Sequence, residues 1–443
     1  MRHSLVGLQW IGAYAVPLLG PLPTVVALLL LGVNAIAGYR WIILALTASF
    51  FVFTLNPYLY DLEESYITIT RQLILAIACW IAVVKRKNWR EIGPIPIAVG
   101  GYTLFIVIFS LYNSYNAIIS NMKVGLFLLG TSASLLTISA SREYGELTYR
   151  LLMGMLVAIA VVSIPAYFVE SIGLGRYSRA AIGSGMAYFQ GIGNHSQSFA
   201  IYMATLCAAC LPIAVRDGRR KYVFLIILSL IWLYQSKGRT AVLSLVLSGL
   251  TYSAYIGLNY DRRREALRYL KRKVKPKVAL LMAIAVSVSI PIVFPYVKTL
   301  VFKREGVAST REAFETSRLH QVLAATYNIQ RHPWFGIGFG LPSRPRDLQR
   351  VVQTLPGTKI PISASVEKGF MPLAILEESG IVGSIVFIGM LGVVCRSVIV
   401  SSPEYAMPTL VLLYSNIGEM YFFAFNGIGL LLWMWIGICA SRR

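Results

Sequence analysis

Arg318 to Gly340, RLHQVLAATYNIQRHPWFGIGFG, gathers an arginine, a helix-length spacer, a His-Pro stop and three alternating glycines. A second arginine, Arg239, stands in QSKGRT (Gln235–Thr240) beside Lys237, where two apolar runs meet. A third polar stretch, Ser171–Ser198, carries Arg176, Arg179, Asn194, His195 and Gln197. Arginine offers a planar fork that binds phosphate in two places. At the mouth of a membrane span it is costly against lipid, so it either snorkels to the headgroups or holds an anion. The chemistry open to this set is recognition of an anionic substrate such as a lipid phosphate. No Cys, His or acid spacing of metal-ligand type is present. Cys79, Cys207, Cys210, Cys395 and Cys439 all lie in apolar runs and read as packing residues. The expectation is therefore no metal and no cofactor.

These residues need a frame, and composition names it. The chain has 443 residues, 56% hydrophobic and 14% charged, with mean hydropathy +0.65. Soluble domains carry about 25% charged residues. Apolar runs near the ~20 residues that a spanning helix needs recur along the length. They are uniformly apolar rather than alternating, which excludes a β-barrel. The expected fold is an all-α polytopic membrane protein. Hydropathy predicts spans near 5–20, 22–39, 41–57, 68–84, 97–112, 123–140, 150–169, 197–215, 221–236, 239–258, 278–296, 371–395, 404–420 and 425–440. The first two could be one re-entrant hairpin around Gly20-Pro21-Leu22-Pro23, so the expected count is 12 to 14. The N-terminal stretch imitates a signal peptide without a clean cleavage site and reads as an anchor.

Charge orients the frame. Lys85–Arg90, Arg216–Lys221, Arg262–Lys277 and Arg442-Arg443 are short basic loops of cytoplasmic type; Arg262–Lys277 alone has nine basic residues against one acid. Such a run joining two spans is a topology signal, so no nucleic-acid partner is expected. Three units follow: a bundle over 1–296, a non-cytoplasmic polar segment over 297–370, and three further spans over 371–443. The polar segment has eleven Lys and Arg against five acids.

Within that segment, Ser309-Thr310-Arg311-Glu312 has the form of a capping box. Arg311, Glu315 and Arg318 then share a helix face. Val322, Ala325 and Ile329 continue it, and Phe314, Leu323 and Tyr327 broaden its apolar side. His332-Pro333 should end the helix. Gly336-x-Gly338-x-Gly340 lacks the βαβ setting of a dinucleotide site, and Pro342 follows at once. The expected use is a tight glycine-dependent turn at the membrane surface.

SKGRTAVLSLVLSGL (Ser236–Leu250), the helix bearing Arg318, RHPWFGIGFG (Arg331–Gly340) and AILEESGIVGSIVFI (Ala374–Ile388), in that order, resemble the O-antigen ligase and O-antigen polymerase superfamily. The resemblance covers roughly Gly173 to the end. It implies a fold like other multispan glycosyltransferases. It also implies metal-independent transfer of sugar chains from an undecaprenyl-diphosphate carrier, at the periplasmic side of the bacterial inner membrane. By this likeness Arg239 and Arg318 hold the diphosphate, with Lys237, Arg176, Arg179, His320 and Lys368 as further substrate contacts. His332, Pro333, Gly336, Gly338 and Gly340 form the structural turn.

One departure is informative. The family's histidine position before the next span falls here on Gly369. Glu367, two residues upstream, is the expected substitute as general base; the alternative is a surface Glu367–Lys368 pair. His320 is a backup. Glu377 and Glu378 fall in the next span's first turns, where carboxylates are expensive; Glu378 could hydrogen-bond the loop or orient an arginine. The resulting expectation is a polymerase that joins lipid-linked repeat units. The alternatives are a ligase acting on lipid A core, a transporter of the same lipid-linked sugar, and a non-catalytic assembly scaffold. Expected partners are the lipid-linked donor, a glycan or lipid A core acceptor, membrane lipid and a chain-length regulator protein.

Overall fold

The computed structural model describes residues 33, 35–56, 64–86, 92–174, 188–259, 319–355, 357–364, 366, 368–425 and 427–442. The expected spans at 5–20 and 278–296, and most of 22–39, lie outside them. The helices are α1 (Tyr39–Thr54), α2 (Glu64–Val84), α3 (Pro94–Asn113), α4 (Ala117–Ile138), α5 (Arg142–Tyr167), α6 (Ser196–Asp217), α7 (Arg220–Ser236), α8 (Arg239–Leu258), α9 (Leu319–Arg331), α10 (Met371–Ile399), α11 (Pro403–Ser415) and α12 (Ile428–Ala440). Six of them, α3, α4, α5, α6, α8 and α10, are long and apolar enough to cross a membrane. The chain is an all-α multi-pass membrane protein. One short hairpin, β1 (Val352–Thr354) with β2 (Pro361–Ala364), pairs antiparallel with Val352 opposite Ala364 and a register shift after Gln353.

Local sequence explains the helix ends. The side chain of Asn116 accepts from Ile119 N at 3.1 Å and that of Ser141 from Tyr144 N at 3.2 Å, each answering a donor that a helix start leaves unpaired. Proline opens α3, α10 and α11, where its missing N–H costs nothing. Gly218, at φ 64°, closes α6 in the left-handed conformation. Several buried hydroxyls are satisfied within their own helices. Thr47, Thr103, Thr131, Ser163, Thr205 and Thr409 each donate to the carbonyl four residues back, at 2.6–2.8 Å.

The helix ends gather into two poles. At one, Arg40 pairs with Glu143, and Arg216 with Glu404 at 3.3 Å. There Arg442 binds Glu146 and donates to the Tyr405 hydroxyl at 2.7 Å, and Arg86 donates to Leu136 O at 3.2 Å. This is the pole of the short basic loops. At the other, Asn56 donates to Ile172 O at 2.8 Å, Asn194 to Phe53 O at 3.0 Å and Tyr115 to Pro342 O at 2.8 Å. This second pole carries the described part of the polar segment.

The last two helices differ from the expected spans 404–420 and 425–440. Each has 13 residues, so each is about 20 Å long, short of a ~30 Å hydrocarbon core. Between them the described residues 416–425 return through the protein as irregular backbone. Asn416 is buried, donating to Leu412 O at 2.8 Å and accepting from Phe422 N at 2.6 Å. Phe422 and Phe423 join Tyr102, Phe127, Phe387 and Trp433 in one aromatic core, with ring centroids 4.9–6.5 Å apart. Irregular backbone at membrane depth is tolerated when it is buried in protein in this way.

Candidate functional site at the junction of the polar segment and the bundle

The His-Pro stop works as the sequence predicts: α9 ends at Arg331, and Pro333 begins a turn. All three alternating glycines have positive φ, 71° at Gly336, 111° at Gly338 and 68° at Gly340. The turn is buried from Gly336 to Pro342 and docks on α10. It docks there because α10 is broken at Gly380, at φ 65° and ψ −169°. A break at that point strips the carbonyls of Glu377 and Glu378 and the amides of Ile381 and Val382 of their intrahelical partners. The turn supplies replacements. Ile337 N donates to Glu377 O at 2.9 Å and Gly338 N to Glu378 O at 3.1 Å, while Ile381 N donates to Pro333 O at 2.8 Å and Val382 N to Trp334 O at 3.2 Å. The contact leaves no room for side chains. A Cβ on Gly336 would stand 2.4 Å from the Glu378 carbonyl carbon, and one on Gly380 2.3 Å from that of Trp334.

Side chains reinforce the same contact. Glu377 and Glu378 are buried, at 1% and 3% exposure. Glu377 accepts from Asn328 Nδ2 on α9 at 2.6 Å and from Ser343 Oγ at 3.1 Å. Glu378 Oε2 accepts from Gly340 N at 2.7 Å. Lys368 Nζ lies 2.8 Å from Glu377 Oε2 and 3.1 Å from Glu378 Oε1. Tyr115, in the α3–α4 connection, closes the rim. Its burial, then the charges of Glu377, Glu378 and Asp347, push its phenol pKa upward, so it stays a neutral donor to Pro342 O.

The arginine mouth lies on the other side of the 416–425 loop. Lys237 ends α7 at φ 50°, the one non-glycine residue with positive φ among the described residues. Its ammonium sits 5.5 Å from the Tyr188 ring centroid. Gly238 is pressed onto α6, where a Cβ would meet that of Ala200 at 2.2 Å. Arg239 is the first, exposed residue of α8. Its neighbour Thr240 packs against Gly418, where a Cβ would be 2.5 Å from Thr240 Oγ1. From the same loop, Phe423 meets Phe339 of the glycine turn edge-on at 4.9 Å. One loop thus touches both the mouth of α8 and the glycine turn.

No protein-family model and no curated protein matches the chain. The site therefore stands on its own geometry.

Of the expected site residues, Arg318, Glu367, Arg176 and Arg179 lie outside the described residues, as do the capping box at 309–312, Arg311, Phe314 and Glu315. His320 falls in the first turn of α9. His332 is exposed at the helix end, and His195 caps α6, its Nδ1 accepting from Gln197 N at 3.2 Å. Two expectations need correction. Lys368 is not half of a surface pair: at 8% exposure it lies between Glu377 and Glu378. The apolar side of α9 is not uniformly covered either: among its described residues Ala325 is buried, while Leu323 and Tyr327 are more than half exposed. The sequence reading passed over Lys123, on α4, whose stem packs on Gly340, where a Cβ would be 2.3 Å from its Cδ. A lone lysine six residues into an apolar run was the available signal. Among the described residues no group of three metal-ligating side chains occurs.

Proposed function

We propose that this protein is a membrane glycosyltransferase that polymerises repeat units carried on undecaprenyl diphosphate, at the non-cytoplasmic face of a bacterial inner membrane. One observation carries the reading. Three motifs far apart in sequence, Ser236–Leu250, Arg331–Gly340 and Ala374–Ile388, converge on one pole of the bundle. The second and third are joined by four backbone hydrogen bonds, and the first reaches them across the 416–425 loop.

In this reading Arg239 and Arg318 bind the diphosphate and stabilise it as it leaves the anomeric carbon. A hydroxyl of the acceptor repeat unit attacks that carbon, and Glu367 takes its proton. Lys237, exposed at the same mouth, adds positive charge for the carrier's phosphates. The lipid-linked species that accumulate on deletion test the proposal. Single lipid-linked repeat units are the expected result. Finished but unattached chains mean a ligase acting on lipid A core, and donor trapped on the cytoplasmic face means a transporter.

A further inference from the structure

Glu377 and Glu378 are adjacent acids, both buried, in the first turns of a membrane-spanning helix. Two ionised carboxylates so placed repel each other and lose their hydration, so the position needs compensating positive charge. Two lysines are at hand. Lys368 bridges both carboxylates from the residue before Gly369, and Lys123 approaches from α4, where Glu378 and Lys368 are the charged groups that act on it. By residue type the four are matched, two lysines against two glutamates. Each member belongs to a different part of the contact. Glu377 holds Asn328 of α9 and Ser343, Glu378 holds the Gly340 amide, and the Lys123 stem lies beneath that glycine.

We propose that Lys123 and Lys368 are positioning residues. With Glu377 and Glu378 they form a charge-balanced clasp that keeps α9 and the glycine turn seated on the bundle. The idea deepens the proposed function, because α9 directly follows Arg318, and donor binding in that reading needs α9 fixed. The clasp works through net charge as well as packing. Removing Lys368 alone leaves one carboxylate unmatched, and that carboxylate either drives the segment off its seat into water or takes up a proton. Acid should therefore reseat the segment. The other ionisable or charged groups facing the carboxylates are Tyr102 on α3, Tyr115 in the α3–α4 connection and Asp347. Two phenols and a carboxyl carry no positive charge in any protonation state, so none of them supplies the missing charge.

Seating can be read without activity. Ala325 is buried on α9, and a cysteine in its place reports docking through its labelling rate with a membrane-impermeant maleimide. The full-length protein in membranes, carrying A325C, is compared with the same protein bearing K368R, K368M or K368M/E377Q. With every rate taken relative to the parent at the same pH, K368M should label about tenfold faster or more at pH ~7, and approach the parent at pH ~5 as the unmatched, desolvated acid takes up a proton. K368R and K368M/E377Q, both balanced, should stay within about twofold of the parent at both pH values. Should K368M fail to accumulate, accumulation of the balanced K368M/E377Q protein supports the clasp, and its loss refutes it. Protection of K368M at every pH, or labelling of K368M/E377Q as fast as K368M, overturns the proposal. Protected labelling in balanced variants, with no transfer by the parent itself, would instead remove the glycosyltransferase reading and leave the clasp intact.

Discussion

At the scale of the residue, the proposed chemistry rests on a few side chains with separable effects. Arg239→Ala and Arg318→Ala are expected to abolish polymer formation while the protein still accumulates in the membrane. Lysine at either position should restore it only in part, since an ammonium lacks the two-point fork. Polymer yield and chain length on a glycan gel decide this, and normal polymer from either alanine variant removes that arginine from the site. Glu367→Gln keeps shape and hydrogen bonding but cannot accept a proton. Its turnover should fall by about 10²–10⁴-fold with donor binding unchanged, and near-normal turnover would discard Glu367 as the base. Legibility at this scale was uneven. Arginines at span mouths stand out because charge is rare there. The partners of Glu377 did not, because Asn328, Ser343 and Lys368 reach it from three separate stretches of chain.

At the scale of the element, the break in α10 is the sharpest test of the fold. Gly380→Ala and Gly336→Ala each combine positive-φ backbone strain of about 1–3 kcal/mol with a backbone clash, for which overpacking typically adds about 1–3 kcal/mol. Gly218 has a similar φ of 64° but nothing within 4 Å of an added Cβ. Gly218→Ala should therefore cost about 1 kcal/mol from backbone conformation alone. Thermal unfolding of the detergent-solubilised proteins should rank Gly218→Ala well above the other two; equal midpoints would mean that the seat tolerates a side chain. Hydropathy located α3, α4, α5, α6, α8 and α10 because a lipid-crossing helix is apolar over most of its length. It also predicted the end of α9 at His332-Pro333. It ran five residues past α11 and began α12 three residues early, because apolar residues such as Ile417, Met420 and Phe425 carry the hydropathy on into the connecting turns. The break at Gly380 was hidden for a related reason. A glycine inside an apolar run gives no sign that the donors it frees have found partners more than forty residues upstream.

At the scale of the molecule, the two poles should sit on opposite sides of the membrane. A cysteine at Arg219, exposed near the Arg216–Asp217 pair, should label only from the cytoplasm, and one at Arg346 only from outside. Labelling of both from one side would remove the proposed site from the face where a lipid-linked polymer grows. Transfer is also expected to survive EDTA, since in the proposed reaction arginines carry the charge of the leaving group. Loss of activity that magnesium or manganese restores would require a metal ligand set in place of that account.

The exchange of hydrogen bonds at Gly380 also has a consequence for biogenesis. As α10 leaves the ribosome and enters the translocon, the amides of Ile381 and Val382 and the carbonyls of Glu377 and Glu378 have no partners within the helix. Unsatisfied groups of this kind cost several kcal/mol each in lipid. Their partners, Pro333 to Gly338, are synthesised earlier, so on the proposed topology, with the polar segment outside, that segment is already across the membrane and waiting when α10 arrives. The first part of α10 can then leave the translocon only as it captures the turn. Maturation of this region is thus vectorial. A nascent chain arrested before residue 371 should hold the polar segment undocked and open to protease, and release past Ile399 should protect it in a single step.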